Sequence, residues 1–230
     1  GAAFAPHLSR VFIGLGLPII QGYGLTETAP VLAANRMGDN DPASVGRALE
    51  GVELRCSENG ELLARGPNIM LGYWNNPAAT AAMIDPQGWL HTGDVVTIRG
   101  GSVYITGRVK DIIVLSNGEK VPPTDAEAAI LRDAAFEQVM VLGEGRPKLG
   151  LLAVSQITDA AQLCARANAQ LHNFPGYVRI RHIARLEEPW SVENGLLTPT
   201  LKLKRNEIEK RFARQIEAMY TVSNVCRPGA

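Results

Sequence analysis

Cysteine is scarce in this sequence: Cys56, Cys164 and Cys226 stand far apart, odd in number and in no C-x-x-C spacing. That pattern argues against a disulfide framework and a zinc site, and it points to separate thiols in a reducing cytoplasm. His7, His91, His172 and His182 are scattered as well, so no metal-ligand cluster forms along the chain. No apolar run approaches the roughly 18 residues that cross a bilayer. The opening Gly1-Ala2-Ala3-Phe4-Ala5-Pro6 lacks the charged stretch before an apolar core that marks a secretory signal. An excess of one charge is also missing: Lys+Arg and Asp+Glu stand at 23 each, so no global field draws the protein to nucleic acid or anionic lipid. What is present is 46% apolar residue in 230, enough for a core in one large domain or two small ones. A soluble globular protein is expected.

Along the chain, residues 7–20 read as a short amphipathic helix followed by an apolar strand at 17–20. From 44 to 107 the signal is short strands and tight turns. Val52-Glu53-Leu54-Arg55-Cys56 turns through Asn59-Gly60 into Glu61-Leu62-Leu63-Ala64-Arg65, and Val95–Ile98 turns through Arg99-Gly100-Gly101 into 103–106. After Gly107 the pattern is mixed, with strands at 112–115, 138–142, 150–154 and 178–183. A helix starts at Thr124, where Thr124-Asp125-Ala126-Glu127 has capping-box spacing. Glu127 is assigned to that cap and left outside the site. A second helix runs from about 158 to 171 and a third over 204–220, where Ile208, Phe212, Ile216 and Met219 form an apolar stripe. The residues from 222 to 230 read as a frayed tail.

Four segments carry residues suited to chemistry. In Gln21-Gly22-Tyr23-Gly24-Leu25-Thr26-Glu27-Thr28, glycines flank an aromatic, Thr26 offers a hydroxyl to a phosphate oxygen and Glu27 a hard oxygen to Mg²⁺. A strand-to-helix turn capped by Thr26 or Thr28 explains the same residues. In Gly88-Trp89-Leu90-His91-Thr92-Gly93-Asp94, Asp94 can accept two vicinal ribose hydroxyls, or can cap its turn. Gly107-Arg108-Val109-Lys110-Asp111 suits either a hinge or a plain solvated linker, and Ser116-Asn117-Gly118 reads as a hairpin turn. In 194–205, Lys202 on a loop before a helix can carry an ammonium to developing negative charge. Lys202, Lys204, Arg205, Lys210, Arg211 and Arg214 also fit a solvated helix face.

In this order and spacing the four segments resemble the adenylate-forming superfamily of acyl-CoA synthetases, luciferases and peptide-synthetase adenylation domains, over residues 1 to about 220. Within it, 22–28, 64–75, 114–122, 136–146 and 188–205 are most similar to bacterial long-chain fatty acid ligases. The resemblance implies a fold of α/β and α+β type in two units. Residues 1–109 would form the C-terminal part of the large domain with its β-rich subdomain, 110–221 a small mobile α+β domain, and 222–230 a tail. It implies that Gly1, Ala2, Gly22, Tyr23 and Gly24 flank adenine, that Thr26 contacts the AMP phosphate, and that Glu27 holds Mg²⁺. Asp94 and Arg108 would hold the ribose, Lys110 would be the hinge, Ser116, Asn117 and Gly118 would face CoA, and Lys202 would be the catalytic lysine.

The implied activity has two steps: a fatty acid and ATP give acyl-AMP and pyrophosphate, then CoA displaces AMP to give the thioester. The physics of Lys202 agrees. A cation about 4 Å from the charge spreading over the α-phosphate contributes roughly 4 kcal/mol at an effective dielectric near 20, close to a thousandfold in rate. Two departures from the family pattern stand out. The Thr/Ser/Gly-rich phosphate loop ending in Pro-Lys-Gly is not in this sequence, so the chain is expected to be part of a longer ligase and inactive in adenylate formation by itself. Leu201 stands where many members of the superfamily have glycine. The expected partners are fatty acid, ATP and CoA with no nucleic acid, in the cytoplasm or peripheral to the inner face of the membrane. An adenylation domain loading a carrier protein, or an aryl or short-chain CoA ligase, would share the fold. A non-catalytic module whose basic terminal helix binds nucleic acid or membrane is the alternative of another class.

Overall fold

The computed structural model describes Phe4, residues 6–221 and Cys226. The chain divides into two compact units, Gly1–Lys110 and Asp111–Ala230. No helix among the described residues is long and apolar enough to cross a membrane.

The first unit begins with helix α1 (Pro6–Gly14) and is otherwise organised by one sheet. Its strands are β1 (Gly22–Tyr23), β2 (Ala33–Ala34), β3 (Arg47–Ala48), β4 (Glu53–Cys56), β5 (Glu61–Arg65), β6 (Leu90–Arg99) and β7 (Ser102–Arg108), with helix α2 (Pro77–Met83) between β5 and β6. They pair antiparallel in the order β1-β2-β3-β7-β6-β5-β4. Both expected hairpins are there. Glu53 pairs with Arg65 and Cys56 with Leu62 across the first, and Arg99 with Ser102 across the second. Leu62, Val96 and Val103 form the centre of a small core, with Tyr23, Val45 and Leu54 packed against it. The apolar stretch 17–20 is not a strand. Pro18 has no N–H to give to a ladder, and the Ile19 N–H is turned back onto Leu17 O at 2.9 Å.

In the second unit β8 (Ile113–Val114) and β9 (Lys120–Val121) make a hairpin, followed by helix α3 (Pro123–Ile130). Strands β10 (Gln138–Leu142), β11 (Leu149–Val154) and β12 (Ile180–Leu186) form a three-stranded sheet in that order. β10 and β11 are antiparallel, whereas β11 and β12 are parallel and joined through helix α4 (Ala160–Gln170). Because side chains alternate along a strand, this sheet buries both faces in separate clusters. Val139, Val141, Leu151 and Ala153 join the cluster of Ile130, Leu163, Ala167 and Leu171. Met140, Leu142, Leu152 and Val154 face Trp190, Leu196, Leu197, Ile208, Phe212 and Met219.

Three local expectations change here. The apolar stripe from 204 to 220 forms two helices, α5 (Arg205–Arg211) and α6 (Ala213–Thr221), broken at the buried Phe212. Helix α3 begins at Pro123, one residue early, because proline has no N–H to leave unsatisfied in the first turn. Thr124 therefore lies inside the helix and no side chain caps it. Cys164 and Cys226, 62 residues apart, form a disulfide with their Cα atoms 5.8 Å from each other, in place of the separate thiols expected. Their pairing follows from β12, where Arg181 O accepts the Cys226 N–H at 2.8 Å. Local spacing carries no trace of it.

Candidate active site

In the first unit the geometry converges on Asp94. Its backbone lies on β6 beside Arg108 of β7, its pair in the sheet register. The carboxylate is buried, and each oxygen has one partner: Tyr23 Oη donates to Oδ2 at 2.6 Å and Arg108 Nε to Oδ1 at 3.0 Å. A carboxylate has about four lone-pair sites, so two remain for further donors such as a vicinal diol. Burial, then the hydrogen bond to Asp94, hold the Tyr23 hydroxyl protonated well above its ordinary value. Three of the residues singled out in the sequence, Tyr23, Asp94 and Arg108, are thus one connected group.

Gly24 is needed for close approach. A Cβ there would lie 1.9 Å from Pro30 O, so the returning chain at 30–31 leaves no space for a side chain. Gly22 lies on β1. Thr26 and Glu27 occupy the 3₁₀ turn Thr26–Thr28. The cap of this turn is Thr28, whose hydroxyl accepts the Leu25 N–H at 2.8 Å, and Thr26 is exposed. Glu27 Oε1 accepts the Tyr73 hydroxyl at 2.8 Å. Among the described residues no group of three or more His, Cys, Asp or Glu side chains converges on one point. A single carboxylate with Oε2 still available fits Mg²⁺, which is commonly held by one or two carboxylates with substrate phosphates and water. Gly1 and Ala2, expected beside adenine, lie outside the described residues.

One support of Asp94 was missed in the sequence. Glu61, buried on β5, accepts the Gly93 N–H at 2.9 Å through Oε1 and meets His91 Nδ1 at 3.0 Å through Oε2. Gly93 has φ of +71°, a left-handed residue within β6, and the β5–β6 register shifts at Glu61/Leu63. Glu61 therefore fixes the irregularity from which Asp94 emerges. Just before β6, the Trp89 ring lies under the Arg55 and Arg65 guanidinium groups at 4.1 and 4.5 Å.

Lys110 is exposed in the 3₁₀ turn Val109–Asp111, at the division between the two units. In the second unit, Ser116, Asn117 and Gly118 form the exposed tip of the β8–β9 hairpin, closed by the Gly118 N–H on Leu115 O at 2.8 Å. Lys202 sits on another tight hairpin. Leu197 and Leu203 form an antiparallel bridge, the Thr198 N–H reaches Lys202 O at 2.8 Å, and the Lys202 N–H reaches Thr198 Oγ1 at 3.0 Å. Leu201 has φ of +59°, the left-handed region that glycine favours. A leucine thus holds here a backbone conformation that glycine adopts at lower cost. The Lys202 side chain is exposed, and among the described residues no carboxylate pairs with it.

Glu127 requires a correction. It does not cap α3. Its buried carboxylate accepts two hydrogen bonds from Arg205 Nη2, each 2.6 Å, and the Val141 N–H at 2.7 Å. Burial pushes its carboxyl upward, and Arg205 and the Val141 N–H oppose that push. Three donors on two oxygens suit the ionised form, which only accepts.

The sequence matches the family described as AMP-binding enzyme over residues 1–74, and its C-terminal domain over residues 110–224. The chain belongs to the AMP-binding enzyme family. It is 29% identical over 254 residues to a long-chain-fatty-acid–[acyl-carrier-protein] ligase, AEE15, of Arabidopsis thaliana, covering 96% of this chain and 35% of that protein. To long-chain-fatty-acid–CoA ligase FadD15 of Mycobacterium tuberculosis it is 31% identical over 246 residues, covering 96% and 41%. It therefore spans well under half the length of these relatives. Among solved structures, the A-PCP didomain of carboxylic acid reductase from Segniliparus rugosus in complex with AMP is similar in fold, with TM-score 0.77 and 24% identity over 96% of this chain and 34% of that one. The mixed α/β architecture expected from the sequence is that of this AMP-binding family.

Proposed function

We propose that the intact protein is an AMP-forming ligase that activates a fatty acid. A carboxylate oxygen attacks the α-phosphorus of ATP, the bond to the bridging oxygen breaks, and pyrophosphate leaves with that electron pair. The acceptor thiol of CoA then attacks the acyl carbon, AMP departs, and the thiol proton passes to solvent. The observation that carries this reading is the Tyr23–Asp94–Arg108 group within a sequence that matches the AMP-binding family. Asp94, oriented by the hydrogen bond from Arg108, would accept the ribose hydroxyls, and Gly22, Tyr23 and Gly24 would border the adenine. Thr26 would donate to the phosphate. Bound Mg²⁺ would neutralise phosphate charge beside Glu27. Lys202 would place its ammonium on the oxygens that gain charge in the first step.

In this reading Lys110 is the hinge about which the unit bearing Lys202 changes place between the two steps, and Ser116, Asn117 and Gly118 border the path of the CoA thiol. With no Pro-Lys-Gly phosphate loop among its 230 residues, the chain by itself is expected to form no adenylate. In the intact protein, Lys202→Ala should cut fatty-acid-dependent pyrophosphate exchange into ATP by about a thousandfold, while thioester formation from supplied acyl-AMP persists. Equal loss in both steps would refute the role of Lys202. No exchange with any fatty acid would remove the enzymatic reading altogether. A second reading, with an acyl carrier protein as the acceptor, is favoured by the name of the Arabidopsis relative. Offering CoA and holo-carrier protein to preformed acyl-AMP separates the two.

A further inference from the structure

The hairpin that bears Lys202 is held at both ends, and by different physics. On one side Leu196 and Leu197 are buried against the sheet, and the Lys204 N–H closes the loop on Leu196 O at 2.9 Å. On the other side Arg205, the first residue of α5 and three positions beyond Lys202, enters a nearly closed polar ring. Its Nη2 donates to both oxygens of Glu127 at 2.6 Å, its Nη1 donates to Val141 O at 3.2 Å, and the Val141 N–H returns to Glu127 Oε1 at 2.7 Å. The ring ties α3, β10 and the start of α5 at one point. The Glu127 side chain is 9% exposed and that of Arg205 17%.

A buried ion pair of this kind is a weak source of net stability, because well-packed apolar side chains of similar volume do as well or better. Its distinct property is direction. The planar guanidinium satisfies two carboxylate oxygens and a carbonyl in one orientation only. The hairpin between the two anchors needs such a constraint, since Leu201 holds a left-handed conformation that a leucine leaves when it is free to do so.

We propose that Glu127 and Arg205 are positioning residues for Lys202: the pair fixes the foot of the 198–204 hairpin and through it the place of the ammonium. The inference rests on the reading of Lys202 given above. Neither residue touches substrate in it.

The test uses the intact protein and compares Glu127→Gln, Arg205→Lys, Lys202→Ala and the double variant Lys202→Ala/Glu127→Gln. Two rates are read: fatty-acid-dependent pyrophosphate exchange into ATP, and thioester formation from supplied acyl-AMP. Displacement of a catalytic group by about 1 Å can cost a hundredfold. Glu127→Gln and Arg205→Lys should each lower kcat of exchange by about tenfold or more, with KM for ATP and the thioester rate within about twofold of the parent. On top of Lys202→Ala, Glu127→Gln should cost nothing further, as residues acting through one group are not additive. Circular dichroism reports folding, and Arg205→Lys, which keeps the charge, carries the test if Glu127→Gln does not fold. The proposal is overturned if exchange is unchanged in a folded variant, if both rates fall together, or if the double variant loses more than Lys202→Ala. A silent Lys202→Ala would remove the reading of Lys202 and the proposal with it. A crippled Lys202→Ala beside a silent Glu127→Gln would remove the proposal alone.

Discussion

Tyr23 and Asp94 stand 71 residues apart in sequence and are joined by a 2.6 Å hydrogen bond from the phenol to a buried carboxylate. The bond links the aromatic of one motif to the acid of another. Hydrogen bonds to charged groups contribute about 1.5–3 kcal/mol, and a buried acceptor loses more than the average when its donor is removed. Tyr23→Phe should therefore lower the unfolding free energy of the chain by about 2 kcal/mol in a urea titration. In an Asp94→Asn background the same change should cost less, because the acceptor is then neutral. An equal cost in both backgrounds would mean that the phenol contributes through packing alone.

Glu61 gives a prediction about the bulge before Asp94. Glu61→Leu leaves the Gly93 N–H and the His91 ring without their carboxylate partner. The expected loss is about 1–3 kcal/mol of stability. In the intact protein, AMP affinity should fall by about tenfold as Asp94 shifts. Calorimetric titration with AMP checks this. An unchanged dissociation constant with a lowered melting temperature would leave Glu61 a purely structural residue.

At Leu201 the cost of the left-handed backbone, about 1–2 kcal/mol for a residue with a Cβ, competes with the greater freedom of glycine in the unfolded chain, about 0.5–1 kcal/mol. The first is the larger. Leu201→Gly should raise stability by roughly 0.5 kcal/mol, and because the side chain is exposed there is little apolar burial to lose. Leu201→Val should lower it, since a branched Cβ suits this region least. Denaturant midpoints for the two variants should lie on opposite sides of the parent.

Asp125, in the first turn of α3, has its carboxyl pushed up to about 6 by burial alone. The fold therefore favours the neutral form. Between the ordinary value of 3.8 and about 6 the native state binds more protons than the unfolded one, so stability falls as pH rises through that window and is level above it. Asp125→Asn removes the burden. After allowance for partial solvent screening and for the favourable helix dipole, it should be more stable than the parent by about 1 kcal/mol at pH 7 and equal to it below pH of about 4. A difference that did not change with pH would place its cause elsewhere.

The hairpins around Asn59-Gly60 and Arg99-Gly100-Gly101 and strands such as Gln138–Leu142 were legible because turn chemistry and short apolar runs are local. The helix over 204–220 was legible in its stripe and not in its break, since Phe212 interrupts it to fill the core. The segment at 17–20 misled because apolar content outweighed the missing N–H of Pro18. Candidate residues such as Thr26 and Lys202 were drawn from motif order. Glu61 and Glu127 escaped because nothing near them in sequence is their partner.

By itself, the sequence determined the family, the mixed α/β character and the short-range elements, for these follow from periodicity, turn residues and motif order along the chain. Only the tertiary structure decided that Asp94 lies between Tyr23 and Arg108, that Cys164 meets Cys226, and that Glu127 clasps Arg205. Those pairings are set by which strands and helices become neighbours. A carboxylate leaving water takes whichever donors the packed core brings to it.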